Sequence, residues 1–271
     1  MKVAAHVLMY DAQKWILRMI ENSAPFVDRI YVAYSPVPWT KYNKNAREEF
    51  SNQCTPEILE NSNYQDRIEI IEDTWEAEED QRNACLERAR KDGMDFLLIH
   101  DADEFYLAKD YQRLIALLEK NSSYELFKTP WCSFWKSFSW VIKGSGRHNI
   151  VGYPQVAVNC NSNIAFESAR ATTEARELTL DCLCYHASYV LTDEEVWSKI
   201  STWGHAHQFD RKKWFETVWK QWTPRSRNLH PISPRDWPKA VEFKGQLPEV
   251  IADMASESTP TKSKGIWSWF S

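Results

Sequence analysis

The run Met94-Asp-Phe-Leu-Leu-Ile-His-Asp-Ala-Asp-Glu-Phe-Tyr106 joins four apolar residues, Phe96 to Ile99, through His100 to three carboxylates, Asp101, Asp103 and Glu104. A short continuous apolar run of this kind predicts a strand buried on both faces of a parallel sheet. Acids packed so closely at the carboxyl end of a strand repel one another and lose hydration, and a divalent cation is the simplest physical reason to tolerate them. Asp101 and Asp103 stand two apart, so an extended chain points both to one side and both can reach one ligand. Hard oxygen donors suit magnesium or manganese, which bind through one or two carboxylates plus substrate phosphates. An acidic turn that merely closes a strand is the alternative for a lone Asp-x-Asp.

Upstream, Lys2 to Tyr10 reads as a first strand, and Asp11 to Asn22 as a helix with Trp15, Ile16, Met19 and Ile20 on one face and Asp11 as N-cap. Val27 to Tyr34 reads as a second strand and Arg67 to Ile71 as a third. Glu78 to Lys91 is predicted helical, with Cys85, Leu86 and Ala89 inward and Gly93 as the left-handed stop. Alternating strands and helices imply a parallel sheet covered by helices. Ligands then bind beyond the carboxyl ends of the strands, where Tyr10-Asp11, Ser35, Asp73 and the acidic cluster all fall.

Downstream, Asp110 to Lys120 is an amphipathic helix, and from Tyr124 the pattern turns to short strands: Glu125 to Thr129, Trp131 to Ile142, Ile150 to Val158 and Leu178 to Tyr185. Lys143 to His148 reads as a flexible loop. Thr192 followed by Asp193, Glu194 and Glu195 is a helix N-cap with acids in the first turn, and Trp214 to Trp222 is a further helix. The organisation expected is a ligand-binding half over 1–120, a second half with C-terminal helices over 121–250, and a flexible tail over 251–271.

With 271 residues the chain can bury a substantial core, and a formal charge of -5 argues against a nucleic-acid binder. Six cysteines form neither a CxxC pair nor a zinc spacing. No secretory signal and no apolar run long enough to span a bilayer is visible, so a reducing, cytoplasmic setting is the expectation. There are 14 Trp against 7 Gly, and most of the Trp follow residue 130. That half must be aromatic-lined, with Trp131, Trp135 and Trp140 as core or in a binding cleft.

The strand leading into Asp101-Ala-Asp103-Glu104-Phe105, preceded by Glu78-Glu-Asp-Gln-Arg82-Asn83, resembles family 2-like glycosyltransferases of the GT-A fold, in the subgroup with a DADEF-type DxD motif. The first strand into Asp11, then Trp15-Ile-Leu and Phe26-Val-Asp-Arg-Ile-Tyr-Val, is similar to that family's opening βαβ unit, and His186-Ala-Ser-Tyr-Val with Lys199-Ile and Gly204-His205 to its C-terminal part. The resemblance covers about residues 1 to 235. It implies an α/β, three-layer GT-A-like sandwich with a mixed, mainly parallel sheet and a helical, Trp-rich C-terminal extension. It also implies a nucleotide-diphosphate sugar donor, with the base near Met9, Tyr10, Asp11 and Asp73, Arg82 at the diphosphate or the acidic loop, and Asp101 at the ribose or a metal-bound water. Asp103 would bind the metal. The family's usual Asn-Glu-Glu opening is replaced here by Tyr10-Asp11-Ala12.

The activity expected is metal-dependent transfer of a sugar to a glycan, lipid-linked or protein-linked acceptor, with Mn2+ or Mg2+ offsetting charge on the leaving group. Asp101, Asp103 and Glu104 are the catalytic candidates. His186 is the second candidate metal ligand, or else a core histidine bonded to a carbonyl. A carboxylate base for the acceptor hydroxyl is open among Glu104, Glu167, Glu174 and Asp193. A nucleotidyltransferase would carry a glycine-rich phosphate loop after the first strand, and Met9-Tyr10-Asp11-Ala12 has no glycine. A non-catalytic carbohydrate- or nucleotide-binding protein on a degenerate transferase fold is the alternative from another class.

Overall fold

The computed structural model describes residues 1–41 and 44–257. In chain order the elements are β1 (Val3–Met9), α1 (Ile16–Ser23), β2 (Arg29–Tyr34), α2 (Ala46–Glu49), β3 (Ile68–Glu72), α3 (Glu78–Lys91), β4 (Phe96–His100), β5 (Glu104–Phe105) and α4 (Ala108–Lys120). They are followed by β6 (Leu126–Lys128), β7 (Trp131–Trp135), β8 (Ser137–Ile142), β9 (Gln155–Asn159), β10 (Phe166–Ser168), β11 (Ala171–Thr172), β12 (Glu177–Thr179) and β13 (Cys184–Tyr189). The last are α5 (Asp193–Thr202), α6 (Arg211–Trp214), β14 (Ala240–Glu242) and α7 (Met254–Glu257).

The expected α/β class is the one observed. A seven-stranded sheet runs β12-β6-β9-β4-β1-β2-β3, with β1, β2, β3 and β4 parallel and β9 antiparallel to both β4 and β6. β4 is buried at every position, as its unbroken apolar run requires. Alternate strand residues feed opposite faces. Ala5, Val7, Ile30, Val32 and Leu98 pack with Ile16, Met19 and Ile20 of α1 and Tyr111, Leu114 and Leu118 of α4. On the other face, Ala4, Tyr31, Ala33, Leu97 and Ile99 pack with Cys85, Leu86 and Ala89 of α3. Two helical layers therefore enclose the sheet.

A second sheet, β14-β8-β7-β13-β5, stands beside the first. β5, directly after the acidic cluster, pairs Glu104 with His186 and Phe105 with Tyr185. Four of the C-terminal tryptophans, Trp135, Trp214, Trp219 and Trp237, are buried in one cluster with Tyr189 and Leu229. All six cysteines are free and buried. No helix among the described residues is long and apolar enough to cross a membrane.

Three local expectations are corrected. Asp11 does not cap α1, whose N-cap is Trp15 with no side-chain hydrogen bond; Asp11 instead adopts φ 47 and turns its carboxylate away from the helix. The run Trp131 to Ile142 is two strands, folded back at Lys136, whose φ is 65. The run Leu178 to Tyr185 is also two, β12 in the large sheet and β13 in the small one. Continuous apolar character hides such breaks, because buried residues on both sides of a turn look alike in sequence. His186 consequently lies inside β13 rather than after it.

Candidate active site

β1 is followed by Tyr10 and Asp11, β2 by Ser35, β3 by Asp73 and β4 by Asp101, all at one edge of the large sheet. β2 lies on one side of β1 and β4 on the other, so the winding reverses between β1 and β4. In open α/β sheets ligands bind outside such a switch point, and Tyr10–Asp11 and Asp101–Asp103 flank this one.

Asp101 accepts from Arg82 Nη2 at 2.9 Å through Oδ1 and meets Arg170 Nη2 at 3.0 Å through Oδ2. Burial works against its charge, but Arg170 and Arg82 outweigh burial and hold the carboxyl well below the usual carboxylate range. Glu104, fully enclosed, accepts from Arg170 at 2.5 Å through Oε1 and from the Asp101 backbone N–H at 3.2 Å through Oε2. Burial pushes its carboxyl up, against the pull of Arg170. Arg82 is completely buried on α3; it bonds Glu78 as well as Asp101, and its Nη1 has no partner.

Asp103 is 8 % exposed. Its Oδ2 accepts from Lys199 Nζ at 3.1 Å, and its Oδ1 stands 3.5 Å from His186 Nε2. Burial opposes its ionisation, yet Lys199 and His186 hold it well below the usual range. Ser133 Oγ lies 3.3 Å from His186 Nδ1, and the Trp131 ring stacks on the imidazole with centroids 4.3 Å apart. These contacts fix the ring with Nε2 toward Asp103. Lys199 Nζ also donates to the Ser188 carbonyl and hydroxyl, each at 3.0 Å.

The base-side candidates are more scattered. Met9 is buried at the end of β1, with its carbonyl accepting from Asn52 Nδ2 at 2.8 Å. Asp11 accepts from the Gln53 N–H at 2.9 Å and from Ser198 Oγ at 2.7 Å, which ties β1 to α5. Tyr10 lines a cavity of about 30 Å3 with Ser35, Trp39, Gln81 and Thr202, and its buried hydroxyl has no partner. Asp73 stands apart: it is exposed, and its carboxylate accepts from the adjacent Thr74 N–H at 2.6 Å.

Sequence reasoning missed Arg170, which sits in the β10–β11 turn behind Ala169 at φ 47. It also missed Asn52, whose amide N–H donates to both Met9 and Ser35 carbonyls while its oxygen accepts from the Asp11 and Cys54 N–H groups. A lone Arg or Asn in a polar stretch carries no local signal of this kind. Lys199 stood in the resembling C-terminal segment but without a role. Arg82, Arg170 and Lys199 pair with these acids, Arg82 and Arg170 with Asp101, Arg170 with Glu104, and Lys199 with Asp103. Among the described residues, no three or more His, Cys, Asp or Glu are grouped to hold a metal.

No protein-family model and no curated protein matches the sequence. Among solved structures, residues 1–349 of S. aureus TarS are similar over 77% of this chain and 68% of that one, at 14% identity and a TM-score of 0.44. A second S. aureus TarS structure matches at 13% identity and a TM-score of 0.43, over 73% of this chain and 38% of that one. A 4-diphosphocytidyl-2C-methyl-D-erythritol synthase from Anaerococcus prevotii DSM 20548 is similar over 73% of this chain and 96% of that one, at 12% identity and a TM-score of 0.41.

Proposed function

We propose that this chain is a glycosyltransferase of the family 2-like, GT-A type, moving a sugar from a nucleotide-diphosphate donor to a glycan or glycoconjugate acceptor. The observation that carries the reading is the placement of Asp101 and Asp103 at the switch point between β1 and β4, with Arg82, Arg170 and Lys199 fixed around them. Breaking a sugar–diphosphate bond builds negative charge on the leaving phosphate, and preorganised cations in a water-poor site stabilise such charge without reorganising. Lys199, on an exposed-side helix and 27% accessible, is the cation best placed to leave Asp103 for a phosphate oxygen. Arg82 and Arg170 are more deeply buried and hold Asp101 in place.

A divalent metal fits one part of this arrangement. Asp103 Oδ1 and His186 Nε2 lie close enough for adjacent ligands, the Ser133 hydroxyl orients the imidazole, and Lys199 occupies the other carboxylate oxygen. One carboxylate and one imidazole suit manganese better than magnesium, with phosphate oxygens completing the shell. A bound ion would add positive charge at the diphosphate. Glu104 acts on the site through Arg170 and the Asp101 N–H, since both its oxygens are engaged below the surface.

Tyr10, Ser35 and Trp39 at the ends of β1 and β2 would receive the base, which requires their small cavity to widen under α5. The decisive experiment is thermal stabilisation by a panel of nucleoside diphosphates and nucleotide sugars, with and without manganese, on wild type and Asp103→Ala. A ligand at a hundredfold excess over its Kd stabilises by about 2.7 kcal/mol. A shift with one base, reduced in Asp103→Ala, is the expected outcome; no shift with any nucleotide overturns the reading. Binding without turnover across an acceptor panel would favour the non-catalytic alternative.

A further inference from the structure

The segment 228–238 folds back on itself. The Asn228 and Leu229 N–H groups donate to the Pro238 and Trp237 carbonyls at 3.0 and 2.9 Å, and Trp214 Nε1 donates to the Leu229 carbonyl at 2.9 Å. His230 stands within this segment, and Pro231 after it disfavours a helical backbone there. His230 Nδ1 accepts two backbone hydrogen bonds, from the Ile232 N–H at 3.2 Å and the Ser233 N–H at 3.0 Å. The ring is half-buried among aromatic neighbours, with centroids 4.9 Å from Trp237, 5.9 Å from Trp203 and 6.3 Å from Tyr189.

Those contacts decide the chemistry of the other nitrogen. Two N–H donors can share Nδ1 only if it carries a lone pair, so the ring is neutral and its proton sits on Nε2. Nε2 makes no hydrogen bond among the described residues. It is a donor without an acceptor, in a ring whose place and tautomer are both set by the backbone. The same proton bars Nε2 from ligating a metal. His186 is the complementary case: its Nδ1 lies 3.3 Å from the Ser133 hydroxyl, which can accept from Nδ1–H and so leave Nε2 its lone pair. The His230 ring faces His205, Lys199 and His186. Tyr189 links it to Lys199, whose Nζ lies 5.7 Å from the centroid of that same phenol ring. His230 thus stands beside the amine that the transferase reading assigns to a phosphate oxygen.

We propose that His230 is a binding residue for the donor's diphosphate, donating from Nε2–H to a phosphate oxygen held beside Lys199. The proposal rests on the transferase reading. A donor fixed in advance stabilises charge on the leaving phosphate without having to reorganise, and a neutral imidazole supplies it without adding to the charge that Lys199 shares with Asp103.

The test is calorimetric titration of the full chain with UDP, GDP, CDP and ADP, manganese present throughout, in wild type, His230→Asn and His230→Gln. The asparagine keeps an acceptor near the Nδ1 position for the Ile232 and Ser233 N–H groups but has no donor at the Nε2 position. The glutamine amide reaches the Nε2 position and leaves those two N–H groups unpaired. The two variants therefore separate the two ends of the ring, and melting temperatures check that each is folded when titrated. Diphosphate binding is expected to weaken about tenfold in His230→Asn, the size of one lost hydrogen bond to a charged group, and to be largely rescued in His230→Gln. A histidine that only holds its turn would give the reverse order. The proposal alone is overturned if wild type binds a diphosphate and His230→Asn binds it as tightly, or if His230→Gln binds it no tighter than His230→Asn. If wild type binds none of the four, the proposal and the transferase reading fall together.

Discussion

Arg170 lies between the half-buried Asp101 and the fully buried Glu104, and its removal leaves both without their shared partner. Breaking a buried ion pair from one side costs about 3–5 kcal/mol, so Arg170→Met should lose stability of that order in urea titrations. Adding Glu104→Gln to that variant should recover part of the loss, because the neutral amide no longer needs the cation; full additivity of the two changes would count against the pairing. Acid sensitivity follows from the same neighbourhood. Burial lowers His230 to about 4 and His100 to about 3, and holds His6 well below the ordinary value. The unfolded chain protonates these imidazoles first as pH falls through about 6.5, so each draws stability away from there down to its folded pKa, by about 1.4 kcal/mol per pH unit. Asp101 and Asp103 add a second loss at lower pH. Their depressed folded pKa values stabilise the fold above the unfolded value of about 3.9, and that stabilisation declines as the pH drops further. Urea midpoints between pH 7 and pH 4 should fall in wild type and fall less steeply in His230→Asn; equal slopes would remove His230 from this account.

α5 carries Lys199 and Ser198 to the site, and Thr192 sets where that helix starts. Its side chain accepts from the Glu195 N–H at 3.2 Å while Glu195 accepts from the Thr192 N–H at 2.7 Å, a reciprocal capping box. Losing such a cap costs about 1 kcal/mol. Thr192→Ala should therefore lower stability by that amount and also weaken nucleotide binding, since fraying the first turn loosens the Lys14–Glu195 and Ser198–Asp11 ties between α5 and the segment after β1. A stability loss with unchanged nucleotide affinity would show that α5 does not help shape the donor site. Asn52 performs the equivalent task for β1 and β2, whose carbonyl ends it joins. Asn52→Ala strands buried backbone groups, each worth about 1–3 kcal/mol, and the expected urea midpoint falls accordingly.

The large sheet takes β1 to β4 from the first part of the chain and β9, β6 and β12 from the second. β4 is therefore an internal strand, satisfied on its outer side by β9. Truncation after residue 120 would expose the β4 edge and its fully apolar face, a template for aggregation. The expected result is an insoluble fragment, and unfolding of the whole chain in which far-UV circular dichroism and tryptophan fluorescence change together. The fluorescence includes the Trp135 cluster, which packs on the second sheet, along with Trp15 and Trp75 beside the large one. Separate transitions would show that the two sheets unfold independently.

The amino-acid sequence alone determined the βα alternation, the bounds of α3, the buried β4 strand and the acidic cluster that follows it. Each is a local pattern: a period, a cap or an unbroken apolar run decides it within a dozen residues. Tertiary structure decided the rest. Arg170 reaches Glu104 across 66 residues of chain and Lys199 reaches Asp103 across 96. Neither position carries a periodicity or a spacing that marks it, and a salt bridge over that span exists only once β5 pairs with β13 and the β10–β11 hairpin closes over α3. The same holds for the division of Leu178 to Tyr185 between two sheets, where burial on both sides of the break erased the contrast from which sequence patterns are read.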